Sequence, residues 1–357
     1  MSRNLTILFA LVACGGGDPE QPPVEEEDLA VSLTERGAHA VGYTTTELSY
    51  PDPAGGGDRT LRTAIWYPSS DTSGTEPKYL DVFEAPDVWS DATPAKGTFP
   101  VMVYTHGSQG FAEGQGFQAA HFASHGWLVY SADHTDNTTF DSPTRTSEIY
   151  FQRQFDVSVV IDAALADPMA DGDQVIVMAH SFGGYSLHAL LGATHDTAVM
   201  DDCADGSDTT EFCSTWDPSY EGIYAAGFRD SRIVAGVSQA AGDYRLFNDA
   251  GIATIDGPLL IMTAEFDSHT PETGEPMWDI LRGGDNRYLY IEGGGHQTYT
   301  DFAGIFPDGS SLDPDEGHRI VNAYSLAYAR KMLLGDDSVD VVLDGELSIS
   351  EFAFPEK

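Results

Sequence analysis

The chain has 357 residues, 41% of them hydrophobic, and its 57 Asp and Glu against 17 Lys and Arg give a formal net charge of -40. A chain of this length can bury a large core, as one domain or as two. Its acidic surface repels phosphate backbones and anionic lipid head groups. Nucleic acid is therefore excluded as an expected partner, and so is charge-driven binding to a membrane surface.

Residues 1–14 have the pattern of an export signal. Arg3 precedes an apolar run, Leu5–Ala13, that is too short to span a bilayer as a stable helix. The sequence Leu-Val-Ala-Cys ending at Cys14 resembles the bacterial lipobox, in which the cysteine becomes the lipidated first residue; a signal peptide with an incidental cysteine is the alternative. Residues 15–35, rich in Gly, Pro and Glu, predict a flexible tether. We therefore expect an exported protein anchored to the bacterial cell envelope by lipid alone.

From residue 40 onward the sequence predicts an α/β fold. Two strand-like runs, 40–48 and 61–67, flank a Pro- and Gly-rich turn and predict an antiparallel hairpin. Further strands are expected at 100–104, 127–130, 175–179, 233–237, 258–263 and 287–291, and helices at 117–124, 157–165 and 318–334. This alternation favours a mostly parallel, doubly wound sheet covered on both faces. We predict one domain over 36–357, with a lid-like insertion at 194–230 where the alternation breaks.

The insertion contains two of the three cysteines of the chain. In an exported protein, Cys203 and Cys213 predict a disulfide worth about 2–4 kcal/mol, with two free thiols as the alternative. The loop 201–208 is rich in Asp, but its spacing does not match a calcium-binding EF-hand. A solvated acidic loop is the expectation there.

Residues 179–184, Ala-His-Ser-Phe-Gly-Gly, follow a predicted central strand and open a helix. This pattern is typical of a nucleophile elbow, with Ser181 on a tight strand-to-helix turn. The turn strains the serine backbone, so the residues two before and two after it must be small; Gly183 meets this need, and Ala179 replaces the usual glycine. The helix N-terminus would direct the Phe182 N–H at a developing oxyanion. Taken alone, the motif also fits a glycine-rich turn before an ordinary helix.

Two later strands end in residues that would complete a catalytic triad. One is followed by Asp267, and the next by a glycine loop and His296. The carboxyl ends of parallel strands meet at one rim of a sheet, so these side chains should lie near Ser181. In the triad the serine attacks, the histidine takes and returns the proton, and the aspartate orients the imidazole. Asp243 is the reserve candidate for the acid.

The turn after the strand at 100–104 would supply the second oxyanion donor. The Ser108 N–H is the preferred donor and the Gln109 N–H the alternative, with His106 supporting the turn. The candidate substrate-binding side chains are Gln109, Phe111 and Tyr244. Most aromatic residues near such a site serve packing instead.

Together these motifs resemble the platelet-activating-factor acetylhydrolase and dienelactone-hydrolase-like branch of the α/β-hydrolases, which is related to the cutinase-like polyester hydrolases. The markers lie at 62–68, 100–107, 122–127, 132–134, 179–184, 263–271 and 293–296, within roughly residues 38–335. The resemblance implies a serine esterase for short acyl esters or polyester, without a cofactor. Dienelactone hydrolases use a cysteine nucleophile, so Ser181 argues against that activity.

Two other functions compete with a serine esterase. A serine peptidase on the same fold should need amine- or carboxylate-binding groups that the sequence does not reveal. A non-catalytic surface lipoprotein would not need Ser181, Asp267 and His296 together. His121 and His125 share a helix face but lack acidic neighbours, so no metal site is expected.

Overall fold

A computed structural model of the chain describes residues 26–141, 143–268 and 271–357. The predicted signal at 1–14, including Cys14, lies outside the described residues. Of the helices in the described part of the chain, none combines the length and the apolar character needed to cross a membrane.

Twelve strands, eleven α-helices and four short 3₁₀ helices make up the regular structure of the described residues. The strands are β1 (Ala40–Pro51), β2 (Asp58–Ser69), β3 (Lys78–Tyr79), β4 (Phe83–Glu84), β5 (Val88–Ser90), β6 (Phe99–Thr105), β7 (Leu128–Ala132), β8 (Ala170–His180), β9 (Ile233–Gln239), β10 (Leu259–Ala264), β11 (Arg287–Ile291) and β12 (Ala353–Glu356). The helices are α1 (Glu26–Thr34), α2 (Gly116–Ser124), α3 (Ser147–Ala166), α4 (Phe182–Leu190), α5 (Thr197–Asp205), α6 (Glu211–Ser214), α7 (Glu221–Ala226), α8 (Asn248–Ile252), α9 (Pro271–Leu281), α10 (Pro314–Leu334) and α11 (Asp340–Leu343).

Ten of the strands form one sheet in the order β12-β11-β10-β9-β8-β6-β7-β2-β1-β5. The strands from β7 through β6, β8, β9 and β10 to β11 pair in parallel. The predicted hairpin is present, since β1 and β2 are antiparallel, and β2 joins the parallel strands antiparallel to β7. The sheet is therefore mostly parallel with an antiparallel N-terminal hairpin, which confirms the predicted fold class.

The core lies on both faces of this sheet. On β8, Val175, Val177 and Ala179 belong to one apolar cluster, while Ile176 and Met178 belong to the other. The first cluster includes residues of α3 and α4, and the second includes residues of α2 and α10. A central parallel strand covered by helices on both sides reads as a continuous apolar run, which is why the pattern of β8 was recognisable.

The predicted tether ends earlier than expected. The prediction placed it over 15–35, but α1 packs against α10, with Leu29 and Leu33 buried. The ring nitrogens of His121 and His125 donate to backbone oxygens at the end of this segment, at 3.0 and 2.9 Å. Leu29 and Leu33, spaced i and i+4, form the centre of the contact face of α1, and Ala30 packs beside them. The tether prediction is therefore wrong from residue 26 onward.

The insertion at 194–230 folds as α5, α6 and α7 and packs against the start of α3. The Tyr224 hydroxyl donates to the Ser147 carbonyl (2.6 Å). Ser147 in turn donates twice to Thr215, from its N–H to the hydroxyl (2.7 Å) and from its own hydroxyl to the carbonyl (2.6 Å). Cys203 and Cys213 form a disulfide with a Cα–Cα distance of 4.7 Å, as predicted. The insertion is thus attached to α3 by hydrogen bonds and closed internally by a covalent link.

Candidate active site

Ser181 lies on the sharp turn between β8 and α4. Its φ of 53° and ψ of -118° place a non-glycine residue in a strained backbone conformation. A Cβ atom at Gly183 would lie 2.2 Å from the Thr105 carbonyl oxygen, so α4 can start here only with glycine at that position. Ala179 is fully buried in the apolar cluster, where its methyl group is accommodated. The sequence departure at Ala179 therefore leaves the elbow intact.

The structure brings Ser181, His296 and Asp267 into one hydrogen-bonded chain. Ser181 Oγ lies 3.1 Å from His296 Nε2, and His296 Nδ1 lies 2.9 Å from Asp267 Oδ1. A carboxylate only accepts hydrogen bonds, so Nδ1 carries the hydrogen and Nε2 presents its lone pair to the serine hydroxyl. The side chains of His296 and Asp267 are 9% and 1% exposed. This arrangement can take a proton from Ser181.

The loops that carry the acid and the base are bound to each other. The Phe266 N–H donates to the Gly294 carbonyl (2.8 Å), and the Gly293 N–H donates to the Glu265 carboxylate (2.9 Å). Gly293 has a φ of 73°, which favours glycine at this turn. These hydrogen bonds therefore hold the loop that carries His296 beside the loop that carries Asp267.

Asp243, the reserve acid, lies on another wall of the site. Its carboxylate accepts from Arg145 Nη1 (2.6 Å) and from the Tyr150 hydroxyl (3.1 Å). The structure gives no hydrogen bond between Asp243 and His296. Among the described residues, Asp267 is the acid that contacts the imidazole.

The turn after β6 is held by His106. Its Nδ1 donates to the Gly107 carbonyl (2.6 Å), and its Nε2 accepts from the His134 backbone N–H (3.2 Å), which defines a neutral tautomer. Burial lowers the pKa of His106 well below its usual value, in agreement with that neutral form. The predicted supporting role of His106 matches these contacts.

This geometry favours Ser108 over Gln109 as the oxyanion donor. In a trans peptide the carbonyl and the next N–H point in opposite directions, so binding the Gly107 carbonyl on one side turns the Ser108 N–H to the other. The Gln109 N–H already donates to the Asn137 carbonyl (3.2 Å). Ser108 and Phe182 both border the cavity in front of Ser181.

That cavity has a volume of about 540 Å³ and is bordered by Ser181 and His296. Gln109, predicted to bind substrate, borders it as well. The structure adds further side chains to its wall: Gln115, Thr139, Arg145, Gln297, Thr300, Phe302 and Phe306. No residue of 194–230 is among those that line it, although Glu211 of the insertion pairs with Arg145 on its wall (3.2 Å). The role of the insertion as a lid stays a prediction.

Two aromatic residues predicted for the pocket lie elsewhere. Phe111 is buried in a cluster with Phe83 and Phe302, with ring centroids 5.9 and 5.7 Å apart. The Tyr244 hydroxyl donates to Asp249 (2.5 Å). Neither Phe111 nor Tyr244 borders the cavity. The prediction fails because nearness in the chain to the oxyanion turn or to Asp243 does not determine the direction of a side chain.

Sequence reasoning also missed Gln115 and Arg153. Gln115 is 5% exposed, and its Oε1 has no partner among the described residues although the residue borders the cavity. Arg153 is fully buried on α3 and donates to the backbone of the oxyanion turn. The sequence signal that could have indicated Arg153 is its position on the apolar helix face that also carries Val157 and Val160, where a charged residue is unexpected.

No protein-family model matches the chain, and no curated protein sequence matches it either. Among solved structures, the chain is similar to a ferulic acid esterase from Streptomyces cinnamoneus, with a TM-score of 0.62 over 91% of this chain and 99% of that one. The chain has the α/β-hydrolase fold. At 19% identity the likeness concerns the fold, so the platelet-activating-factor acetylhydrolase branch stays a prediction.

Proposed function

We propose that this α/β-hydrolase-fold protein is a serine-dependent carboxylic ester hydrolase. The observation that carries the proposal is the continuous contact from Ser181 Oγ through His296 to Asp267, at 3.1 and 2.9 Å, beside a cavity of about 540 Å³. A hydroxyl, an imidazole and a buried carboxylate in this order form the arrangement that activates a serine nucleophile. The solved structure of similar fold is an esterase by name, which supports the same reaction class.

In the proposed reaction, Ser181 Oγ attacks the ester carbonyl carbon while its proton passes to His296 Nε2. Asp267 stabilises the resulting imidazolium. The carbonyl oxygen becomes an oxyanion and receives hydrogen bonds from the backbone N–H groups of Phe182 and Ser108. When the tetrahedral intermediate collapses, the alcohol leaves with the proton from the imidazole. Water then gives a proton to His296 and attacks the acyl carbon, and the carboxylic acid leaves as that proton returns to Ser181 Oγ.

The groups on the cavity wall support a peptidase less well than an esterase. Arg145 is the guanidinium on its wall, and that group is occupied by Asp243 (2.6 Å) and Glu211 (3.2 Å). A peptidase that recognises a chain terminus needs an available charge for it. Hydrolysis of small-molecule or polymeric esters does not require such a group.

We further propose that the protein is exported and held at the bacterial cell envelope by lipid on Cys14. The support is the pattern of the first residues together with the disulfide between Cys203 and Cys213, because disulfides persist mainly in oxidising compartments. The anchor is the only membrane contact in this proposal.

The test is hydrolysis of 4-nitrophenyl acetate and butyrate by the wild-type protein and by Ser181→Ala. We expect turnover in the wild type and loss of turnover in the variant, with unchanged thermal unfolding. Ser214→Ala, an exposed serine outside the cavity, is the matched control and should keep full activity. Undiminished activity in Ser181→Ala would remove the serine from the mechanism, and faster cleavage of peptide anilides than of esters would favour the peptidase.

A further inference from the structure

Arg153 is a fully buried arginine in the middle of α3. Its Nη1 donates to Asn137 Oδ1 (2.7 Å), and its Nη2 donates to Thr105 Oγ1 (3.1 Å) and to the His106 carbonyl. All three acceptors are neutral oxygens. The guanidinium is therefore held by the turn after β6 and by the segment that follows β7.

In the described part of the chain, no carboxylate forms an ion pair with Arg153. The buried carboxylate on the same helix, Asp156, binds Arg59 (2.9 Å) and His134 (2.9 Å) instead. Asp156 attracts the guanidinium of Arg153 without an ion-pair contact. A buried charge that lacks a directly paired carboxylate destabilises a fold, and an apolar side chain of similar volume would fill the same space at a lower cost. Burial lowers the pKa of Arg153 to about 9, so the group still carries its charge at neutral pH. Core packing alone gives no reason for a cation here.

The contacts of Arg153 converge on the turn that carries Ser108. Its partner Asn137 donates from Nδ2 to Ser108 Oγ (3.2 Å) and accepts from the Gln109 N–H (3.2 Å). The guanidinium carbon also lies 4.9 Å from the centre of the Phe182 ring, on the residue that bears the other proposed oxyanion donor. The Arg153 guanidinium thus contacts the turn that precedes the Ser108 N–H and the side chain of Phe182, the residue with the other backbone donor.

We propose that Arg153 is a positioning residue for ester hydrolysis. With Asn137 it fixes the turn so that the Ser108 N–H faces the developing oxyanion, and its charge stabilises that oxyanion from behind the turn. The inference rests on the proposed ester-hydrolase function. Negative charge develops on the substrate oxygen only on the way to the transition state, so the effect should fall on kcat and not on KM.

The size of the effect follows from what removal of a direct donor does. Loss of one oxyanion donor lowers kcat by about 10²–10³-fold in a serine hydrolase. Arg153 acts one step behind the donors, so we expect a decrease of about 10–100-fold for Arg153→Met. Arg153→Lys keeps the charge but not the forked donor, and Asn137→Ala keeps the charge but removes the link to Ser108. Both should lie between wild type and Arg153→Met.

The experiment measures kcat and KM for 4-nitrophenyl butyrate in the full-length protein and its variants. It also measures inhibition by an alkyl trifluoromethyl ketone, which forms a tetrahedral adduct with a serine nucleophile. We expect the affinity for the ketone to fall by the same factor as kcat, while KM changes by less than about threefold. Arg287→Met is the matched control, because Arg287 is a buried arginine bound to Asp344 (3.0 Å) at the opposite end of the parallel strands. It should lower thermal stability without lowering kcat.

A folded Arg153→Met protein with kcat within about threefold of wild type overturns the proposal, and so does a loss confined to KM. If Arg153→Met does not unfold cooperatively, Arg153→Lys and Asn137→Ala decide the question by the same two criteria. A wild-type protein that hydrolyses no ester overturns the proposed function together with this inference. An active wild type with equally active variants overturns the inference alone.

Discussion

Replacing Asp267 by Asn should reduce kcat for 4-nitrophenyl butyrate by about 10³–10⁴-fold. In the structure the carboxylate accepts from His296 Nδ1 at 2.9 Å, and its side chain is 1% exposed. When the imidazole takes the serine proton, it becomes a cation beside this anion. At an effective dielectric constant of about 20, two opposite unit charges at the 2.9 Å separation attract by about 5–6 kcal/mol. Asparagine keeps the shape but loses the charge, so most of that transition-state stabilisation disappears.

Asp243→Asn is the matched control for this prediction. Asp243 is also a carboxylate at the cavity wall, but it binds Arg145 and Tyr150 and not the imidazole. Its substitution should lower kcat by less than about tenfold. Initial rates between pH 6 and pH 9 together with thermal unfolding of each variant provide the assay. The reasoning is refuted if Asp243→Asn loses more activity than Asp267→Asn, or if a folded Asp267→Asn protein stays within about tenfold of wild type.

Four further predictions concern stability, specificity and location. Replacing Cys203 and Cys213 by Ser should lower the free energy of unfolding by about 2–4 kcal/mol, and urea unfolding that does not respond to the substitution would contradict this. Burial lowers the pKa of His195 from 6.5 to about 3, so the stabilising contribution of the neutral imidazole is complete above pH 6.5 and is lost as the pH falls towards 3. His195→Phe should therefore flatten the decline in the free energy of unfolding between pH 6.5 and 4.5. An unchanged decline would refute burial of His195 as its cause. Gln115→Met should lower kcat/KM for an ester that carries a hydroxyl group relative to the same ester without it, because the carboxamide oxygen of Gln115 has no partner among the described residues and can accept a hydrogen bond; an equal kcat/KM ratio before and after the change would count against it. Cys14→Ser should move the protein from the membrane fraction to the soluble fraction, and unaltered fractionation would argue against lipidation.

Local sequence was sufficient for the elements that carry the candidate chemistry. The apolar run of β8, the small residues around Ser181 and the glycine loop before His296 are patterns of neighbouring residues, and each reflects a local steric or hydrophobic requirement. Because parallel strands direct their carboxyl ends to one rim, the positions of Ser181, Asp267 and His296 directly after predicted strands indicated that they lie close together. The disulfide could be predicted because Cys203 and Cys213 are the cysteines that remain beside Cys14 in a chain expected to be exported.

Tertiary structure alone decided which acid contacts the imidazole, that α1 packs against α10 within the segment predicted as a tether, and which side chains face the cavity. Asp243 and Asp267 both follow strands of the sheet, and only the packed loops show that Arg145 occupies the first while His296 contacts the second. Arg153 donates to the His106 carbonyl of the oxyanion turn, 47 positions away in the sequence. Such pairings depend on the packing of distant elements and on side-chain directions within it, and short-range sequence periodicity contains no information about either.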